Sequence, residues 1–104
     1  MNELPDLIQE FLEHMSVEKN CSPLTIRDYR HYLNKFSDYY KEKNITELTI
    51  DDVRKYRVQL AGREIKRVTQ NYYVIALRSF LRYLIKKDIK TLAPEKIDLP
   101  KTES

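Results

Sequence analysis

A single glycine, Gly62, and a single cysteine, Cys21, serve the whole 104-residue chain. Tight β-turns lean on glycine for positive φ, so so few glycines argue against a sheet-and-turn architecture. One cysteine excludes an internal disulfide and points to a reducing compartment, the cytoplasm. With only His14 and His31 beside it, that cysteine cannot complete a structural zinc site. One glycine cannot build a phosphate-cradling loop either. No run approaches the roughly 20 apolar residues of a membrane span. The opening Met1-Asn2-Glu3-Leu4-Pro5-Asp6 lacks the basic and apolar regions of a signal peptide. No Ser or Cys lies near a His in a nucleophile context. The expectation is therefore no metal, no cofactor, no catalytic residue and no membrane.

What remains is a chain of 41% apolar and 34% charged residues, of a size for one domain with one modest core. The net charge of +3 names no partner, but its distribution is uneven. Residues 1–21 carry Glu3, Asp6, Glu10, Glu13 and Glu18 against Lys19 alone. Residues 63–90 carry Arg63, Lys66, Arg67, Arg78, Arg82, Lys86, Lys87 and Lys90 against Glu64 and Asp88. A basic cluster on one element is the footprint of a polyanion binder, with a merely solvated face as the alternative.

Four helices are legible. Leu4, Leu7, Ile8, Phe11, Leu12 and Met15 follow helical spacing and predict a first helix from about Pro5 to Lys19. Its outer face is acidic and should lie away from a phosphate backbone; His14 there reads as a solvated side chain. Ser22 as N-cap and Pro23 at the first position open a second helix to about Lys43. Ile26, Tyr29, Leu33, Phe36 and Tyr40 form its buried stripe, while Thr25, Arg27, Arg30 and His31 fall off it. Such a helix start can dock on phosphate, or can be a capped surface. Thr49 caps a third helix whose Asp51 and Asp52 suit the positive helix end; Ile50, Val53, Tyr56 and Leu60 should face inward. Gly62 is expected to close it in a left-handed conformation.

The fourth helix, Lys66 to Lys87, is the longest uninterrupted pattern. Val74, Leu77, Leu81 and Leu84 give it a core face. Arg78, Arg82 and Lys86 recur every four residues as a cationic stripe elsewhere on it. Thr69 is a candidate cap, with Lys66 or Arg67 as an earlier start. Tyr72 and Tyr73, beside Asn71, are candidates to contact a ligand. Beyond Lys87 the period is lost; one helical turn at Pro94-Glu95-Lys96 within an extended tether is expected.

The blocks S-P-L-T-I-R-D-Y-R-H-Y-L-N-K-F (22–36), L-T-I-D-D-V-R-K-Y (48–56), T-Q-N-Y-Y-V-I-A-L-R-S-F-L-R-Y-L (69–84) and A-P-E-K-I-D-L-P-K (93–101) occur in that order. Together they resemble the N-terminal core-binding, SAM-like domain of the tyrosine recombinases of the Xer and phage-integrase type. The resemblance covers nearly the whole chain. It implies an all-α fold, a compact four-helix orthogonal bundle forming half of a clamp around duplex DNA. Residues 1–90 would be that domain, and 91–104 the start of a linker to an absent catalytic domain; the chain is then an excised piece of a longer recombinase, the favoured reading, or a stand-alone homologue.

The resemblance further implies that the second and fourth helices face the major groove. Carried over, the DNA-facing residues are Thr25, Arg27 and His31 on the second, with Lys66, Arg67, Thr69, Asn71, Tyr72 and Tyr73 on the fourth. Arg78 joins them, with packing as its alternative role. The family often has basic residues where this chain has Tyr72 and Tyr73, which bring no charge. The implied function is non-catalytic DNA binding in integration or recombination. Its partners would be double-stranded DNA and other recombinase protomers, with the chain monomeric without DNA. The alternative is a helical interaction adaptor that self-associates through its acidic and basic helices.

Overall fold

Helix α4 (Arg67–Lys86) is the element on which everything else packs: α1 (Leu4–Val17), α2 (Pro23–Tyr40), α3 (Ile50–Ala61) and a 3-10 turn at Pro94–Lys96 all touch it. The computed structural model describes residues 3–40 and 43–99, and no strand occurs among them. The architecture among the described residues is an all-α bundle of four helices. On α4, Val74, Ala76, Leu77, Phe80, Leu81 and Leu84 are at most 1% exposed. That arc is wider than the sequence stripe because helices arrive on several sides. α1 brings Leu7, Ile8, Phe11 and Leu12, α2 brings Leu33 and Phe36, and α3 brings Val53, Tyr56 and Leu60. Aromatic rings join the layers: Phe11 lies 5.7 Å from Phe80 and 5.3 Å from Tyr83, and Phe36 meets Tyr56 edge-on at 5.3 Å. Tyr56 is fully buried, and its hydroxyl has no partner among the described residues.

The helix starts follow their chemistry. Ser22 Oγ accepts from the Thr25 backbone N–H at 3.2 Å. Thr49 and Asp52 close a reciprocal capping box, Thr49 Oγ1 accepting from the Asp52 N–H and Asp52 Oδ2 from the Thr49 N–H at 3.0 Å. Asp52 also accepts from the Tyr40 hydroxyl and lies 3.7 Å from Lys43 Nζ, so it pins the end of α2 to the start of α3. Burial works against its charged form. The hydrogen bonds from Thr49 and the Lys43 charge outweigh it and hold the carboxyl below its usual range. Burial, then the Asp52 charge, pushes the Tyr40 phenol up to about 12.

A depressed carboxyl contributes stability that is complete above its unfolded value of about 4 and lost as pH falls through the folded one. A raised phenol contributes stability that is complete below about 10 and lost as pH rises toward its folded value. Thermal melts should therefore fall at both ends of the pH scale. Asp52→Asn should be less stable at neutral pH and lose less on acidification than the wild type, which parallel melts from pH 6 to pH 3 would check.

Four expectations are corrected. Gly62 is not left-handed: it sits at φ −78° and ψ 0°, its N–H reaching the carbonyls of Val58 and Gln59 at 3.2 Å. The positive φ in this connection belongs to Glu64, at 47°. A Cβ on Gly62 would meet only carbonyl oxygens at 3.6 and 3.8 Å, ordinary contact. Gly62→Ala is thus expected to be neutral or to stabilise by up to ~1 kcal/mol through the unfolded chain, whereas a left-handed site would lose stability; chemical denaturation distinguishes these. Ile50 is 48% exposed and does not face inward. α4 begins at Arg67 after Lys66, so Thr69 is already inside the helix and caps nothing.

The fourth correction is the tail. Over residues 91–99 it is no extended tether but a docked strap. Ile97 is 1% exposed, Pro94 is buried, and Leu92 and Leu99 are partly buried against the core. Thr91 Oγ1 donates to the Ile45 carbonyl at 2.8 Å, Arg78 Nε to the Pro94 carbonyl at 3.2 Å, and Arg57 Nη1 to the Asp98 carbonyl at 2.7 Å. The expected single turn at Pro94–Lys96 is present as 3-10 helix. The remainder of the expected linker, residues 100–104, lies outside the described residues.

Candidate nucleic-acid interface

The N-terminal half of α4 presents two sides. One faces α3: Arg67, Gln70 and Asn71 line a groove opposite Arg57, over a floor of Leu60 and Val74. The Gln70 side chain is fixed there by donating to the Ile65 carbonyl at 2.6 Å. The other side faces α2, where His31 Nε2 lies 3.0 Å from the Tyr73 hydroxyl. The Tyr32 and Tyr73 rings are 4.7 Å apart. Burial, with the nearby Asp28 charge, raises the Tyr32 phenol above its ordinary value, so it stays a neutral donor.

The ten sequence candidates separate on this frame. Lys66, Arg67 and Tyr72 are exposed, and Thr69 and Asn71 are half-buried, all in the first turns of α4. His31 is exposed and joined to α4 through Tyr73. Arg27 sits one turn before His31 on α2. Its side chain is 72% exposed and its guanidinium is paired with Asp28 at 3.2 Å, an exposed contact worth only about 0–1 kcal/mol and easily exchanged for phosphate. Thr25 lies at the same end, with its hydroxyl 3.0 Å from that of Ser22, committed to the helix start.

Two candidates are corrected. Tyr73 is 6% exposed, because 100° of helical turn after exposed Tyr72 brings it against α2. Its hydroxyl is taken up by the His31 ring rather than presented to solvent. Arg78 is half-buried and donates to the strap at Pro94. Its guanidinium holds a main-chain carbonyl, and it stands about 16 Å along α4 from Arg67. The rest of the cationic stripe, Arg82 and Lys86, is exposed and lines a different groove with Lys19, Cys21 and Tyr29.

Charge pairing identifies what the sequence candidates omitted. Arg54 and Lys55 on α3 are neutralised by Asp51 at 2.8 and 3.3 Å, and their hydrogen bonds to it hold that carboxyl below its usual range. Among the described residues, Arg57, Arg63, Lys66 and Arg67 have no carboxylate within 4.0 Å. Four unneutralised cations thus surround the α3–α4 corner. Arg57 was legible in principle. It flanks the Val53–Tyr56–Leu60 stripe and has no acid three or four residues away on either side, unlike Arg54 and Lys55. The acids Glu10, Glu13 and Glu18 collect instead around Val17, His14 and Lys87. Among the described residues no cluster of His, Cys, Asp and Glu could hold a metal ion, and no helix is long and apolar enough to cross a membrane.

The family model described as phage integrase, N-terminal SAM-like domain, matches residues 8–88. A tyrosine recombinase XerC of Oceanobacillus iheyensis is 34% identical over 106 aligned positions, which cover 98% of this chain and 35% of the relative. A tyrosine recombinase XerC of Syntrophus aciditrophicus is 32% identical, over 96% of this chain and 36% of its own length. The chain therefore spans about a third of these relatives. The crystal structure of the N-terminal domain of a phage integrase/site-specific recombinase from Haloarcula marismortui superimposes with a TM-score of 0.86 at 22% identity, covering 94% of this chain and 96% of that one. At that identity the likeness speaks for the fold.

Proposed function

The chain belongs to the phage integrase family through its N-terminal SAM-like domain, and from that premise we propose that it is the non-catalytic DNA-binding module of a tyrosine-type site-specific recombinase. The observation that carries the reading is the unneutralised cationic corner at the start of α4, next to exposed Tyr72 and the His31 end of α2. Duplex DNA presents a dense row of phosphates, and a protein face of this charge gains affinity by releasing the counterions condensed on the duplex. Arg67, Lys66 and Arg27 supply charge, Thr69, Asn71 and Tyr72 supply neutral donors and acceptors, and His31 is oriented between them by Tyr73.

Strand cleavage in this reading belongs to a part of the parent recombinase outside the matched third, reached through the segment after the strap. The domain contributes grip and register on the duplex, beside other protomers in a recombining assembly, and is a monomer without DNA. The expected setting is the cytoplasm. Fluorescence anisotropy with a duplex at several salt concentrations tests the reading. Binding that weakens steeply with salt, and weakens further in an Arg27→Ala, Arg67→Ala double variant, supports it. No binding at low salt, or binding indifferent to that double change, removes the DNA-facing assignment. Self-association without DNA affinity would favour an adaptor pairing its acidic and basic edges.

A further inference from the structure

We infer that the α3–α4 groove seats one phosphate of the duplex backbone between Arg57 and Arg67, and that this phosphate tightens the C-terminal strap through Arg57. The inference rests on the duplex-binding reading and adds to it a residue of α3, a ligand position and a consequence for the chain's C-terminal side.

The groove has a volume of about 220 Å³. That is below the roughly 300–1,000 Å³ of small-molecule sites, yet several times the ~30 Å³ share of a water molecule. It suits a tetrahedral anion with some of its hydration. Two guanidiniums and two side-chain amides line it over an apolar floor, and no acid does. Neither Arg57 nor Arg67 has a carboxylate partner among the described residues. Both are therefore attractive to an anion without first giving up an ion pair.

Arg57 is a special case because it faces two ways. Its Nη1 holds the Asp98 carbonyl at 2.7 Å while the side chain borders the groove. A guanidinium carries five N–H donors in a planar fork, so one edge can keep the strap while another grips phosphate oxygens. Each contact fixes the same side chain and lowers the entropic cost of the other. The two are then positively coupled, and the coupling is reciprocal. Occupied groove and docked strap favour each other, so the segment leading out of the domain becomes firmer when the duplex is held.

The test combines salt-dependent anisotropy on a DNA duplex with amide hydrogen exchange at Lys96 and Ile97. Their N–H groups close the strap's 3-10 turn on the carbonyls of Ala93 and Pro94, both at 3.0 Å. Arg57→Ala should bind about tenfold more weakly at low salt and flatten the salt dependence by about one unit of slope. In the wild type the two amides should exchange more slowly once the duplex is added; in Arg57→Ala and Arg67→Ala they should not respond. Arg57→Lys, a single-point cation, should recover part of the affinity and little of the strap response, a split that mere misfolding would not produce. Wild-type binding with an unchanged Arg57→Ala affinity and slope, or with strap amides indifferent to duplex, overturns the inference and leaves the duplex reading intact. Should the wild type bind no duplex, that reading fails by itself. A titration with inorganic phosphate, followed on the arginine Nε–H resonances, then decides the groove: shifts at Arg57 and Arg67 support it and their absence overturns it.

Discussion

Reversing the two charges at the start of α4, Lys66→Glu with Arg67→Glu, should abolish measurable duplex binding at physiological salt while leaving the fold intact. Both side chains are exposed and neither pairs with an acid among the described residues, so the bundle loses no ion pair. A charge-assisted contact is worth about 1.5–3 kcal/mol. Losing two, and replacing attraction by repulsion at the start of α4, outweighs what Arg27, Arg57, Arg63 and the neutral donors still supply. The slope of log affinity against log salt should fall by about two. Circular dichroism and anisotropy on the same samples check both halves. A stable variant that still binds would move the interface elsewhere.

The largest stability effect is expected at Phe80→Ala. Phe80 is fully buried in the centre of α4 and packs against Phe11 of α1, so truncation removes aromatic contact and opens a cavity where the helices meet. Such changes cost about 3–5 kcal/mol, a large part of the ~5–15 kcal/mol that holds a domain together. The loss reaches function through geometry. α4 carries Arg67, Asn71 and Tyr72, and its burial against α2 sets their position relative to His31. Denaturant titration should give a lower midpoint, and duplex affinity should fall with the folded fraction.

How much of this was legible in the sequence depended on whether a feature is local. Amphipathic spacing located all four helices, and Ser22 and Thr49 marked two of their starts, because caps and apolar periods act within a few residues. The family resemblance, carried by four blocks in order, agreed with the match over residues 8–88. The strap escaped because its anchoring is not periodic. Ile97 is a single apolar side chain, and Arg57, Arg78 and Thr91 hold or reach carbonyls, groups that every residue possesses. No pattern of side chains announces which carbonyl an arginine will find.

The same limit explains the site residues that moved. Tyr72 and Tyr73 are indistinguishable as letters, and only the rotation of α4 against α2 makes one exposed and the other the anchor of His31. Arg78 looked like part of a cationic stripe, but its guanidinium is taken up by the Pro94 carbonyl of the strap. At the α3–α4 connection, glycine is the expected left-handed residue, yet the chain turns at Glu64. The helix itself ends in right-handed geometry, with Gly62 N–H closing on carbonyls one turn back.

A duplex should touch the domain at the start of α4 and the neighbouring face of α2. Backbone amide shifts on titration with a DNA duplex should cluster at Arg27, His31, Lys66, Arg67, Asn71 and Tyr72, with a weaker response at the strap. Glu10, Glu13 and Glu18 on α1 should stay unmoved. Shifts centred on α1, or no shifts at low salt, would contradict it.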